Sequence, residues 1–151
     1  MKIFKTLADL TAMVGQEVAV SDWIRITQEQ VNLFAQATGD HQWIHVDVER
    51  AKAGPFGAPI AHGFLTLSLL PRFFDEAIKV EESTMGVNYG LNKVRFMGPV
   101  PVGSRLRARL SLVSSDPIDS NGVQLVWDML VEKEGSAKPV CVAQSISRRY
   151  P

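Results

Sequence analysis

The spacing of apolar residues changes character near residue 83, with helical periods before it and strand-like alternation after it. Leu7, Leu10 and Val14 fall on one face of a helix predicted over Thr6–Val14, with Thr6 and Asp9 placed to cap its start and Gly15 to stop it. Glu17–Ile24 reads as a first strand. Thr27-Gln28-Glu29-Gln30 has the capping-box form, in which a hydroxyl and an amide satisfy each other's free backbone N–H groups. Val31, Phe34, Ala35 and Thr38 follow at helical spacing, and Gly39 suits the position just past the helix end. Asp47 is placed to cap a short turn over Val48–Ala53. Gly54, Pro55, Gly57 and Pro59 then impose an irregular connection.

A third helix is predicted from His62 to about Ile78. Phe64, Leu65, Leu67, Leu69 and Leu70 make it apolar on nearly every side, which predicts burial, and Pro71 should kink it or end its first half. Arg105–Leu112 alternates without error, so one face is wet and the other packed. Val123–Val131 follows the turn signal Asn121-Gly122, and Val140–Ser147 is a last strand. In Thr84–Phe96 the apolar positions switch from odd (Met85, Val87, Tyr89, Leu91) to even (Val94, Phe96), which predicts a bulge near Asn92-Lys93. Strands joined by short connections imply an antiparallel sheet with one face to cover, and the His62 helix is the obvious cover. The expected architecture is α+β, one sheet wrapped on one buried helix, with residues 1–151 as a single domain.

Lys plus Arg equals Asp plus Glu, so no broad basic field exists for nucleic acid or anionic lipid. The chain has one cysteine, Cys141, in the apolar run Val140–Ala143, which excludes an internal disulfide and suits a small buried hydrophobe. The first residues carry acidic and polar breaks unlike a signal peptide, and no run of about 18 apolar residues exists to span a membrane. A cytoplasmic location is the expectation.

The segment Gly39-Asp40-His41-Gln42-Trp43-Ile44-His45 concentrates polar chemistry after a helix end. A carboxylate and an imidazole together can hold a water, the imidazole taking its proton while the carboxylate orients it. From spacing alone, a loop acid and a solvated or packed histidine is the better reading of Asp40 and His45. His41 points away from its neighbour Asp40 in this reading, Trp43 is packing, and Gln42 either bonds a substrate or bridges the loop. His41, His45 and His62 show no metal-ligand spacing, so no metal or other cofactor is expected. His62 and Gly63 open the buried helix, where free backbone N–H groups can meet a carbonyl oxygen that gains charge, or where Gly63 only permits a tight turn. Arg95, with Lys93, suits either a phosphate or a solvated strand face.

Taken together, Gly39-Asp40 with Ile44-His45, the acidic turn around Asp47, Gly54-Pro55-Phe56 and Ile60-Ala61-His62-Gly63-Phe64 resemble the hydratase-2 motif of MaoC-like dehydratases. Asn88–Phe96 and Pro99–Ser104 also resemble that family, and the likeness runs from about Gly15 to the C-terminus. The resemblance implies a hot-dog fold, a curved antiparallel sheet around a central helix. It implies (R)-specific hydration of trans-2-enoyl-CoA thioesters, with Asp40 and His45 as the catalytic pair. It also implies a Gly63 N–H oxyanion donor, in a homodimer with sites near the interface; Gln42, His62 and Arg95 are the candidate substrate contacts of this chain. Family members commonly carry Asn-Pro where this chain has Gln42-Trp43, so the substrate contact made by that Asn is altered here.

Overall fold

A computed structural model describes residues 1–151. The chain starts with β1 (Lys2–Phe4) and α1 (Leu7–Thr11). The Thr6 hydroxyl accepts from the Asp9 N–H and the Asp9 carboxylate accepts from the Thr6 N–H, the expected capping box. The helix is shorter than predicted: turns carry the chain on to Gly15, and Val14 is exposed. The predicted strand Glu17–Ile24 is in fact two, β2 (Gln16–Val20) and β3 (Ile24–Arg25). Ser21 separates them because its hydroxyl, not its backbone, accepts from the Ala108 N–H.

Five helices follow. They are α2 (Gln28–Thr38), α3 (Trp43–Val46), α4 (Val48–Lys52), α5 (Gly63–Ser68) and α6 (Leu70–Ala77). Thr27 and Gln30 cap α2 reciprocally, as their spacing predicts. The helix expected from His62 to about Ile78 is broken into two at Leu69, as Pro71 predicts: that proline lies in the first turn of α6, where its missing N–H costs nothing. The burial expected all round is also corrected: Phe64 stays 67% exposed. Next come β4 (Ile78–Val80), β5 (Met85–Phe96), β6 (Arg105–Ile118), β7 (Gly122–Lys133) and β8 (Cys141–Tyr150). β1 and β4, each too short to show a period, pair in parallel as a separate ribbon.

The main sheet is antiparallel in the order β2–β6–β7–β8–β5, with β3 also on β6. Alternation in β6 sorts the faces. Leu106, Ala108, Leu110 and Leu112 are buried, while Arg105, Arg107 and Arg109 pair outside with Glu134, Glu132 and Glu17. The inner face of β7 supplies Leu125, Trp127, Met129 and Val131 to one continuous core with Phe73 and Phe74 of α6. Phe74 meets Trp127 edge-to-face at 5.3 Å, so the second half of the helix pair is pinned to the middle of the sheet. This is the α+β hot-dog arrangement. Cys141 lies in the core, where burial pushes its thiol up to about 11, so it is unreactive packing.

β5 is different. It slips register between Leu91 and Lys93, as the parity switch predicts, and again between Asn88 and Gly90. It forms one edge of the sheet, and Met85, Val87, Tyr89, Leu91 and Phe96 are all exposed along it.

Gly39 ends α2 at φ 80°, the left-handed conformation, and nothing lies within 4 Å of where a Cβ would stand. Gly39→Ala should therefore cost only backbone strain, about 1–2 kcal/mol in urea unfolding, with no packing clash added.

Candidate active site

Two chain segments build the site. The first leaves α2 through Gly39, whose N–H donates to the Ala35 carbonyl at 2.8 Å, and delivers Asp40 at the surface. The single turn α3 then places His45, whose backbone N–H donates to the Gln42 carbonyl at 3.0 Å. From α2, the Gln28 side chain donates to the His45 carbonyl at 2.8 Å, tying the two elements together. The second segment is the entry to α5. Ile60 donates its N–H to the Ile44 carbonyl at 3.0 Å, and Ala61 donates to the Val100 carbonyl at 2.8 Å. Val102 returns a bond to the Pro59 carbonyl at 2.9 Å, so the strand-like run 99–104 braces this entry from behind.

His45 joins the two segments. Its Nδ1 lies 2.7 Å from the Ile60 carbonyl, which can only accept, so Nδ1 carries the proton and Nε2 is left bare. The ring is buried, and that burial is the main influence holding its pKa below the usual imidazole range. The bond to Ile60 and the charge of Asp40 oppose this, and the neighbouring His62 adds to the lowering. The result is a neutral imidazole with a free base nitrogen, as proton abstraction requires.

His62, 2% exposed, stacks on His45 with ring centroids 3.8 Å apart and an interplanar angle of 22°. Its Nε2 donates to the Asp40 backbone carbonyl at 3.0 Å, and its Nδ1 is buried without a partner. Ligand-capable atoms of Asp40, His45 and His62 all lie within 4.8 Å of one another. The two rings are stacked and nearly parallel, so their in-plane lone pairs lie in separate layers, a poor fit to one shared ion. The cluster suits the sharing of a water and protons better than a metal.

Gly63 heads α5, and its amide donates to no backbone carbonyl. A Cβ there would stand 3.0 Å from the Phe96 ring, a close contact that a shift of that ring would have to relieve. A cleft of about 360 Å³ lies beside it, lined by Phe56, Ile60, Gly63, Thr66, Phe96 and Val100 among others. A second, of about 410 Å³, runs along the helix pair between Leu67, Leu70, Phe74, Leu91, Trp127 and Met129.

The remaining sequence candidates fall outside this cluster. His41 and Gln42 are exposed, and Gln42 joins through its backbone, its N–H 3.3 Å from the Asp40 carboxylate. Trp43 lies close against Gly54, with the Arg50 guanidinium over its ring 4.3 Å from the centroid. Arg95 lies on the exposed edge strand with its guanidinium on the Val94 carbonyl. Gln28 and Ile60 went unseen in the sequence. Gln28 reads there as an ordinary first-turn residue, and Ile60 acts through backbone atoms that no side-chain pattern reports.

Comparison with known proteins gives a consistent picture. The family described as MaoC like domain matches residues 9–133. The 3-hydroxyacyl-thioester dehydratase Z of Mycobacterium tuberculosis is 60% identical over 148 residues, covering 98% of each chain. Nodulation protein N of Rhizobium leguminosarum bv. viciae is 46% identical, over 94% of this chain and 89% of its own. Among solved structures, the (R)-hydratase from A. caviae involved in PHA biosynthesis superposes with a TM-score of 0.70 at 22% identity, over 91% and 96% of the two chains.

The depressed His45 pKa links stability to pH. An unfolded chain takes up the proton near the ordinary value of 6.5 while the folded chain resists it. Stability should therefore be full above that pH and fall as the pH drops below it. His45→Gln should flatten this part of the curve, followed by urea midpoints across the acid range.

Proposed function

Because the chain belongs to the MaoC-like dehydratase family, whose chemistry is that of a hydro-lyase, we propose that it hydrates trans-2-enoyl-CoA to (R)-3-hydroxyacyl-CoA and runs the reverse dehydration. The observation that carries this reading is His45. Its Nδ1 proton is committed to Ile60, which leaves Nε2 as the base, and a nitrogen of the same ring lies within 4.8 Å of an Asp40 carboxylate oxygen. Stereochemistry and carrier rest on the family resemblance; acyl-thioester chemistry is what the name of the mycobacterial relative states for that protein.

In this mechanism a water sits between Asp40 and His45 over one face of the C2–C3 double bond. His45 Nε2 takes a proton as the water oxygen bonds to C3. Electrons shift through C2 onto the thioester oxygen, and the open Gly63 amide stabilises that charge; removing such a donor typically costs about a hundredfold or more in rate. The proton then returns to C2 through the Asp40–His45 pair, so the site ends in its starting protonation state. The cleft along the helix pair gives the acyl tail an apolar course, and Arg95 supplies a cation for the carrier's phosphates. No metal or redox group takes part.

The same reading includes a homodimer. β5 presents a free edge with five exposed large apolar side chains, and exposed Phe64 and Phe96 flank Gly63. Pairing of two β5 edges would satisfy the free backbone and cover these side chains. It would also close the mouth of the site next to Gly63.

Purified protein should hydrate a short trans-2-enoyl-CoA to the (R) product, read by chiral analysis. Asp40→Asn and His45→Gln should each lower kcat about a hundredfold or more. Full activity in either variant would remove this mechanism, and thiol release without a 3-hydroxyacyl product would point instead to thioester cleavage. Leu91→Glu should shift the protein to monomer in sedimentation and lower its activity. A fully active wild-type monomer would end the interface reading.

A further inference from the structure

His62 stands out because its arrangement has a cost with no evident structural return. A buried histidine whose Nδ1 has no partner is a poor choice for packing between Phe34 and His45, where a phenylalanine would leave no polar atom stranded. Its one hydrogen bond goes to the Asp40 carbonyl. That bond matters because the loop it grips is otherwise weakly tied. The Asp40 N–H reaches the Thr38 hydroxyl only at 3.4 Å, and the Gln42 N–H reaches the Asp40 carboxylate only at 3.3 Å. Residues 39–42 belong to no helix or strand, and all four are exposed. The 3.0 Å bond from His62 is the shortest that holds Asp40.

We infer that His62 is a positioning residue: it clamps the Asp40 backbone to the start of α5, so that the carboxylate, the His45 base and the Gly63 amide keep one fixed geometry. The inference rests on the proposed hydration and refines it. His62 was a candidate substrate contact from sequence. Its buried ring and occupied Nε2 place its action on Asp40 instead. The clamp spans the two segments that build the site. His62 sits one residue before Gly63, so a shift of Asp40 relative to His62 is a shift relative to the oxyanion donor. A misplacement of about 1 Å at a reacting group can cost about a hundredfold in rate.

Side-chain shape separates this role from mere packing. Gln places its amide nitrogen about where histidine Nε2 stands, Asn places its own near Nδ1, and Phe keeps the ring with no donor. His62→Phe and His62→Asn should lower kcat roughly 10- to 100-fold with KM within about twofold, whereas His62→Gln should recover most of the loss. Hydrogen–deuterium exchange at residues 39–42 should quicken in the Phe and Asn variants and stay near wild type in Gln. The inference falls if the Phe variant keeps wild-type kcat, if Gln is as impaired as Asn, or if exchange at 39–42 is the same in all. Should the wild type fail to hydrate any enoyl-CoA, the proposed reaction falls on its own. The exchange comparison still decides whether His62 holds Asp40.

Discussion

The backbone of Ile60 is the joint on which the site depends. Its N–H bonds the Ile44 carbonyl and its C=O accepts from His45 Nδ1, so one residue fixes both the path and the ring of the adjacent turn. Everything chemical in the cluster follows from that pair of bonds. The accepted proton selects the His45 tautomer that leaves Nε2 free, and the short distance holds the ring against His62. Because Ile60 is itself braced through Ala61 and Val100, the His45 ring is referenced to the same frame as the first amide of α5. A general base and an oxyanion donor contributed by different elements must share such a frame if they are to act on one substrate.

The fold serves this joint by making the helix pair immobile at one end and open at the other. Phe73 and Phe74 of α6 are buried against the sheet, whereas Phe64 at the start of α5 faces outward. The hydrophobic effect thus anchors the far half, and the near half stays open to solvent. The same asymmetry runs across the sheet. β6, β7 and β8 have one face in the core, while β5 leaves its apolar side chains uncovered at the edge. An uncovered apolar edge beside an open amide is what a second copy would complete in the proposed dimer.

Elements with strong local signals were readable in advance. Reciprocal side-chain caps announced α1 and α2, the β6 alternation announced which leucines are buried, and the parity switch in β5 announced one of its two register slips. Weak local signals misled where tertiary contacts took over. Ser21 splits a strand through a side-chain bond to a residue far along the chain. The leucine-rich run after His62 reads as buried on nearly every side, and Pro71 marked its break, yet Phe64 is exposed, since the uncovered side of a packed helix is not encoded in hydrophobicity.

The site divides along the same line. Sequence alone determined the residue types and their local placement: an acid just past a glycine-ended helix, a histidine five positions on, a His-Gly step opening a buried helix. Spacing also left Gln42 open between a substrate contact and a loop bridge, with His41 read as pointing away. Only the tertiary structure decided among them, because what matters is which atoms face each other across segments distant in the chain. It turned His41 and the Gln42 side chain outward, committed His45 Nδ1 to Ile60, and laid His62 against both His45 and the Asp40 carbonyl. Proton position, burial and ring stacking arise from contacts between distant residues, and those exist only once the chain has folded.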